Sequence, residues 1–138
     1  MALPYTQPLD GNGRPLELPY PPGATPVTGD SGNVAAATAT ATLPGVAGQT
    51  TYITGFEITA SGATAAAVVT ATVTGGISGT LHYTFGAPAG VTAMCTSLTI
   101  TFPRPIPASA QNTAIAVALP SLGSGNTNAT VVAHGFQL

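Results

Sequence analysis

Residues 51–60 and 69–74 alternate so regularly that few folds can accommodate them. In TYITGFEITA, Tyr52, Thr54, Phe56, Ile58 and Ala60 fall on one side of an extended chain, and Thr51, Ile53, Gly55, Glu57 and Thr59 on the other. In VTATVT, Val69, Ala71 and Val73 alternate with Thr70, Thr72 and Thr74. A period of two marks a strand with one face in a core and the other in solvent. β-Branched side chains lose little rotamer freedom on a pleated surface, and threonine is the one that also tolerates water. Ser61-Gly62-Ala63 connects the two stretches. Together they predict a sheet that is hydrocarbon inside and hydroxylated but uncharged outside, with the aromatic bulk of the first stretch all on one face.

The same pattern recurs along the chain. Ala37, Ala39, Ala41 and Leu43 oppose Thr38, Thr40 and Thr42, and Pro44-Gly45 ends that run. Leu81, Tyr83 and Phe85 share a face, with His82 opposite. Leu98, Ile100 and Phe102 form the next inward row, which Pro103-Arg104-Pro105-Ile106-Pro107 is expected to stop. Ile115, Val117 and Leu119 make another, and Ala129, Val131 and Ala133, or their alternates Val132 and His134, the last. No window holds a sustained apolar period of 3.6 residues flanked by helix caps. Seven or eight short strands between turn signals predict an all-β fold, an antiparallel β-sandwich with a jelly roll as the expected topology. Alanine at many inward positions lets the sheets approach but buries little area. The core should be thin, its weight carried by Tyr52, Phe56, Ile58, Leu81, Tyr83, Phe85, Leu98, Ile100 and Phe102. Such a fold gains from association, because whatever binds only the folded form stabilises it.

Residues 1–32 read as an extended N-terminal arm and residues 33–138 as the body. The arm holds seven of the 13 prolines. Proline removes backbone donors and biases the preceding residue to extended conformations, which excludes a helix or a central strand. Asp10-Gly11-Asn12-Gly13 is a turn signal. Leu3, Tyr5, Leu9, Leu16, Leu18 and Tyr20 are apolar anchors between the prolines, and Arg14 stands among them. Proline lowers the entropy lost on docking, and each buried Leu or Tyr contributes about 1.5–3 kcal/mol. An arm so built suits lying across another surface.

Only 4% of the residues are charged, against about a quarter in an ordinary domain, and neither of the two cations is a lysine. Two isolated arginines cannot displace counterions from phosphates, so nucleic-acid binding is not expected. Apolar runs are too broken by Gly, Pro and Thr to span a membrane, and MALPYTQPLDGNGRPLELPYPP has neither the basic start nor the apolar centre of a secretion signal. Synthesis in the cytoplasm is the expectation. A surface this poor in charge invites coverage by partner chains. Catalytic patterns do not emerge. No G-x-S-x-G run and no lysine-containing P-loop occur. His82 and His134 lack the spacing of metal ligands. Three of the four carboxylates, Asp10, Glu17 and Asp30, fall in the arm, where nothing would hold a hydrolytic pair. Cys95, the single cysteine, has no nearby activating group and reads as buried filler. No catalytic residue, metal or cofactor is assigned, and the chain is not expected to be an enzyme.

YITGFEITASGATAAAVVTATVTG, LHYTF, LTITFPRPIPAS and NTAIAVALPSLGSGNTNATVVAHGF together resemble sequences from tailed-bacteriophage structural regions. The resemblance implies a capsid decoration, or cement, protein with a jelly-roll body on the virion surface. It implies the major capsid protein as partner and a homo-oligomer, dimer or trimer, on the shell. On that view Leu3, Tyr5, Leu9, Arg14, Leu16, Leu18 and Tyr20 would be the capsid-binding residues. An alternative is a carbohydrate-binding, receptor-binding β-sandwich module of a phage fibre or tail, recruiting Tyr5, Tyr20, Asn126 and Asn128. A divergent glycan hydrolase is a third reading, against which the missing carboxylate pair argues.

Overall fold

A computed structural model of the chain describes residues 9, 11–14, 20–123 and 127–138. Among these the secondary structure is β1 (Thr25–Asp30), β2 (Val34–Ala35), β3 (Ala39–Leu43), β4 (Thr51–Ser61), β5 (Ala67–Thr74), β6 (Leu81–Ala87), β7 (Leu98–Pro107), β8 (Ile115–Leu119) and β9 (Asn128–Gln137), with no helix. Two antiparallel sheets face each other as a sandwich. The first runs β1-β9-β4-β7, with β2 also on β9; the second runs β3-β8-β5-β6. The pairing is nested. β1 pairs with β9, β3 with β8, β4 with β7 and β5 with β6, so the chain folds back on itself from its ends inward. Ladders between β4 and β9 and between β5 and β8 then knit those pairs into the two sheets.

Where one face of a strand is flush with the core, alternation is obeyed. Ala39, Ala41 and Leu43, then Ala71 and Val73, then Ile115, Val117 and Leu119 are buried, while Thr40, Thr42, Thr70 and Thr74 are exposed. On β9 the inward set is Ala129, Val131 and Ala133, which leaves Val132 and His134 on the outer face. The largest fully buried side chains are Phe56, Leu43, Ile53, Ile58, Ile115 and Leu119. Phe56 and Phe85 are the aromatic rings of a core cluster that is otherwise aliphatic apart from Cys95. Leu81, Tyr83, Leu98, Ile100 and Phe102 are only partly buried against it.

Three expectations change. Strict alternation fails in β4, because Ile53 opposes Gly135 while Gly55 opposes His134, leaving Thr54 without a counterpart. This β-bulge shifts the phase by one residue: Thr51 and Ile53 point inward before it, Phe56, Ile58 and Ala60 after it. Tyr52 therefore lies on the outer face. Gly135 is required at this point, since a Cβ there would run into the Tyr52 carbonyl and come within 2.8 Å of Leu43 Cδ1. Secondly, Pro103 does not end β7. The ladder to β4 jumps from Ile106 opposite Ile53 to Thr101 opposite Gly55, so 102–105 drop out of the ladder as a bulge on an edge strand, where a missing N–H costs no ladder bond. Thirdly, Thr25–Asp30, on the arm side of the composition change, is the other edge of the first sheet, and Pro26 is tolerated there for the same reason. Gly29 brings β1 against β3: a Cβ in its place would stand 2.5 Å from the Thr42 carbonyl oxygen.

Candidate interaction surface

The titratable side chains of the body are dispersed. His82 is exposed on β6 in the second sheet and His134 lies on the outer face of β9 in the first, so the sandwich separates them. Among the described residues no three His, Cys, Asp or Glu side chains come together as metal ligands. Glu57 is exposed between Thr99 and Val132. Cys95 is buried, its backbone N–H donating to the Ala60 carbonyl at 2.8 Å, and burial pushes its thiol up from the ordinary value. Burial also raises the Tyr83 phenol, which meets Phe56 edge-on with ring centroids 5.1 Å apart. Asn128 accepts a hydrogen bond at Oδ1 from Asn33 Nδ2 at 3.0 Å. None of these arrangements pairs a nucleophile with a base.

The distinctive surface is aromatic. Tyr52 and Phe136 are register partners on β4 and β9: the bulge turns Tyr52 outward onto the face that Phe136 already holds by the alternation of β9, and their rings stack 4.8 Å apart at 12°. Tyr20 also meets Phe136, at 5.5 Å and 59°. Phe136 is only 3% exposed, although it sits on the outside of the sheet. Tyr20 and Tyr52 pack on it, and Pro26 is its register partner on β1. Pro21, Tyr52, Pro105, Phe136 and Leu138 line a shallow depression of about 240 Å³. Its floor is held by the backbone: Thr50 and Leu138 exchange hydrogen bonds of 2.8 and 3.1 Å, and the Ala24 N–H donates to Pro21 at 3.1 Å to turn the chain into β1.

No family model, curated protein or solved structure matches this chain. Its function has to be read from the surface itself. Of the arm residues nominated as contacts, Leu9 is 57% exposed, Arg14 is exposed, and Tyr20 is half-buried on the body's own Phe136. Leu3, Tyr5, Leu16 and Leu18 lie outside the described residues, as does Asn126. The pattern reading missed Phe136, Leu138, Pro105 and the outward turn of Tyr52. A signal for Phe136 was present in the row Val132, His134, Phe136, the alternate face of the last strand.

Proposed function

We propose that this chain is a capsid decoration protein of the tailed-phage kind, with a jelly-roll body, which binds the outer surface of a phage capsid and joins neighbouring major capsid subunits. The observation that carries this reading is the joint at Tyr20. Tyr20, which follows the proline-rich segment, packs on Phe136 of the body, so a partner bound by that segment is tethered within reach of the body. A seam-bridging protein needs no tight individual contact, because tethered contacts raise one another's effective concentration. Leu9 supplies an exposed apolar side chain ahead of that joint, and Leu3, Tyr5, Arg14, Leu16 and Leu18 complete the proposed contact set.

The strand order supports a jelly roll. With β1 and β2 counted as one strand, the sheets read first-eighth-third-sixth and second-seventh-fourth-fifth, as a long antiparallel hairpin does when it is rolled up into two Greek keys. That architecture is shared by capsid and lectin domains and so does not choose a function. The outer faces favour a structural role over a chemical one: they carry threonine rows, no lysine and dispersed titratable groups.

Because Tyr20 packs on the body and β1 begins at Thr25, the informative truncation removes residues 2–19. Binding of the truncated chain to expanded capsids is expected to disappear while its far-UV spectrum and unfolding midpoint persist. Undiminished binding would refute the clamp. The fibre-borne carbohydrate-binding reading draws on the same depression, since aromatic rings at its rim are of a kind that stack on sugars. Glycan-array binding together with a few copies per virion would favour it, and hundreds of copies would favour decoration.

A further inference from the structure

We infer that β6 is the edge through which two copies of this chain pair, antiparallel about a two-fold axis, so that the second sheet continues from one copy into the other. An open sheet edge presents unpaired N–H and C=O groups, and proteins that must stay apart blunt their edges with proline, charge, bulges or cover. The sandwich has four edges. β1 carries Pro26 and Asp30. β3 is covered by β1, which packs along it with Gly29 against the Thr42 backbone. β7 bulges over 102–105 and carries Pro103, Arg104, Pro105 and Pro107. Among the described residues β6 has none of these devices. Its seven residues, LHYTFGA, include neither proline nor charge, and among the described strands they pair with β5 alone.

Two further observations point to a second copy as the occupant. A two-fold axis sets the residues closest to it near their own images, so a charge there would meet like charge and be penalised. Residues 58–103, which hold β5, β6 and their connections, contain no charged residue at all. Among the described residues, β6 and β7 are not packed together to the extent that β1 and β3 are on the opposite side. Along this open side the core shows through. Leu81, Tyr83, Leu98, Ile100 and Phe102 are half-buried there, and a neighbouring body paired through β6 would cover part of that apolar strip. The inference does not depend on capsid binding.

Thr84 is exposed near the middle of β6, and its side chain points away from the core. When β6 pairs with β6 along its whole length the axis passes by Thr84, and facing Cβ atoms of an antiparallel pair are about 5 Å apart, so Thr84→Lys then places two ammonium groups against each other. Sedimentation equilibrium of the full chain is expected to give twice the 13.5 kDa chain mass. T84K should halve the measured mass and keep the far-UV spectrum. Thr40→Lys, equally exposed at the opposite edge of the same sheet, should leave the mass doubled. A monomeric wild type, a trimer, or a folded T84K that keeps the doubled mass would overturn the inference. If T84K fails to fold, hydrogen exchange of the wild type reads the same edge. Amides in 81–87 should gain at least tenfold protection on going from dilute to concentrated solution, and concentration-independent exchange would overturn it. None of these measurements involves a capsid, so failure here and failure of the decoration reading are separable.

Discussion

Thr51 and Gln137 donate to the same acceptor: the Thr51 hydroxyl lies 2.8 Å, and the Gln137 amide nitrogen 2.7 Å, from the carbonyl oxygen of Pro44. They are register partners on β4 and β9, both turned into the body, and they tie the end of the first sheet to the residue that follows β3 in the second. Either donor alone satisfies the carbonyl. Thr51→Val and Gln137→Leu should therefore each cost about 1 kcal/mol, the ordinary net worth of a hydrogen bond, whereas losing both leaves a desolvated acceptor at about 1–3 kcal/mol more. A double-mutant cycle by urea denaturation is expected to show a combined cost above the sum of the single ones. Simple additivity would mean that solvent takes the place of the missing donors.

Phe136 is the keystone of the aromatic surface, in contact with both Tyr52 and Tyr20. Phe136→Ala should cost about 3–5 kcal/mol, as for a core phenylalanine, although the residue stands on the outer face of its sheet. Tyr20→Ala removes one cover only, so its cost should be nearer 1 kcal/mol. Near-UV circular dichroism checks the mechanism apart from stability. Both variants should weaken the tyrosine signal, and an unchanged spectrum in Tyr20→Ala would show that its ring is not fixed on Phe136.

The readable parts of the fold were those governed by local rules. Rows such as Ala39-Ala41-Leu43 and Ile115-Val117-Leu119 announced their buried face, because each strand is flush against the opposite sheet. Tyr52 was assigned to the wrong face because the bulge depends on Gly135, some eighty residues away in sequence, accepting the Tyr52 carbonyl at close range. Pro103 is expected to stop its strand, yet proline's effect depends on whether a strand is central or an edge, and strand order is a property of the whole sheet; Pro26 excludes only a central strand, and β1 is an edge. The surface divides in the same way. Tyr20 was recognisable as an apolar anchor among prolines. Its partner, Phe136, comes from the other end of the chain through the pairing of β1 with β9, which no short window contains.

If the prolines of β7 act as an edge guard, removing them should turn a well-behaved protein into an associating one. Replacing Pro103, Arg104 and Pro105 together by serine restores two backbone donors and removes a charge, while leaving the half-buried Phe102 in place. Each Pro→Ser change also costs about 0.4–1 kcal/mol through the unfolded chain, so the comparison belongs well below the unfolding transition. Light scattering on concentrated samples should rise with time for the triple variant and stay flat for the wild type. Equal behaviour of the two would leave the bulge, rather than the prolines, as the guard.

Burial of Cys95 has a consequence for alkaline stability. The thiol is buried beneath the end of β4, and this environment disfavours the thiolate, so its pKa in the fold stands above that in the unfolded chain. An acid of this kind holds its proton longer when folded. Its contribution is whole below the unfolded thiol pKa of about 8.5 and is lost as the pH climbs through the folded value. Tyr83 acts with the same sign at higher pH, where the unfolded phenol ionises first. The urea midpoint of the wild type should accordingly decline from about pH 8.5 upward. Cys95→Ala starts lower, having lost packing, but should follow a flatter course until the tyrosine range begins. Parallel decline of the two proteins through the thiol range would assign the effect to other groups and would remove Cys95 from any account of how the body responds to alkali.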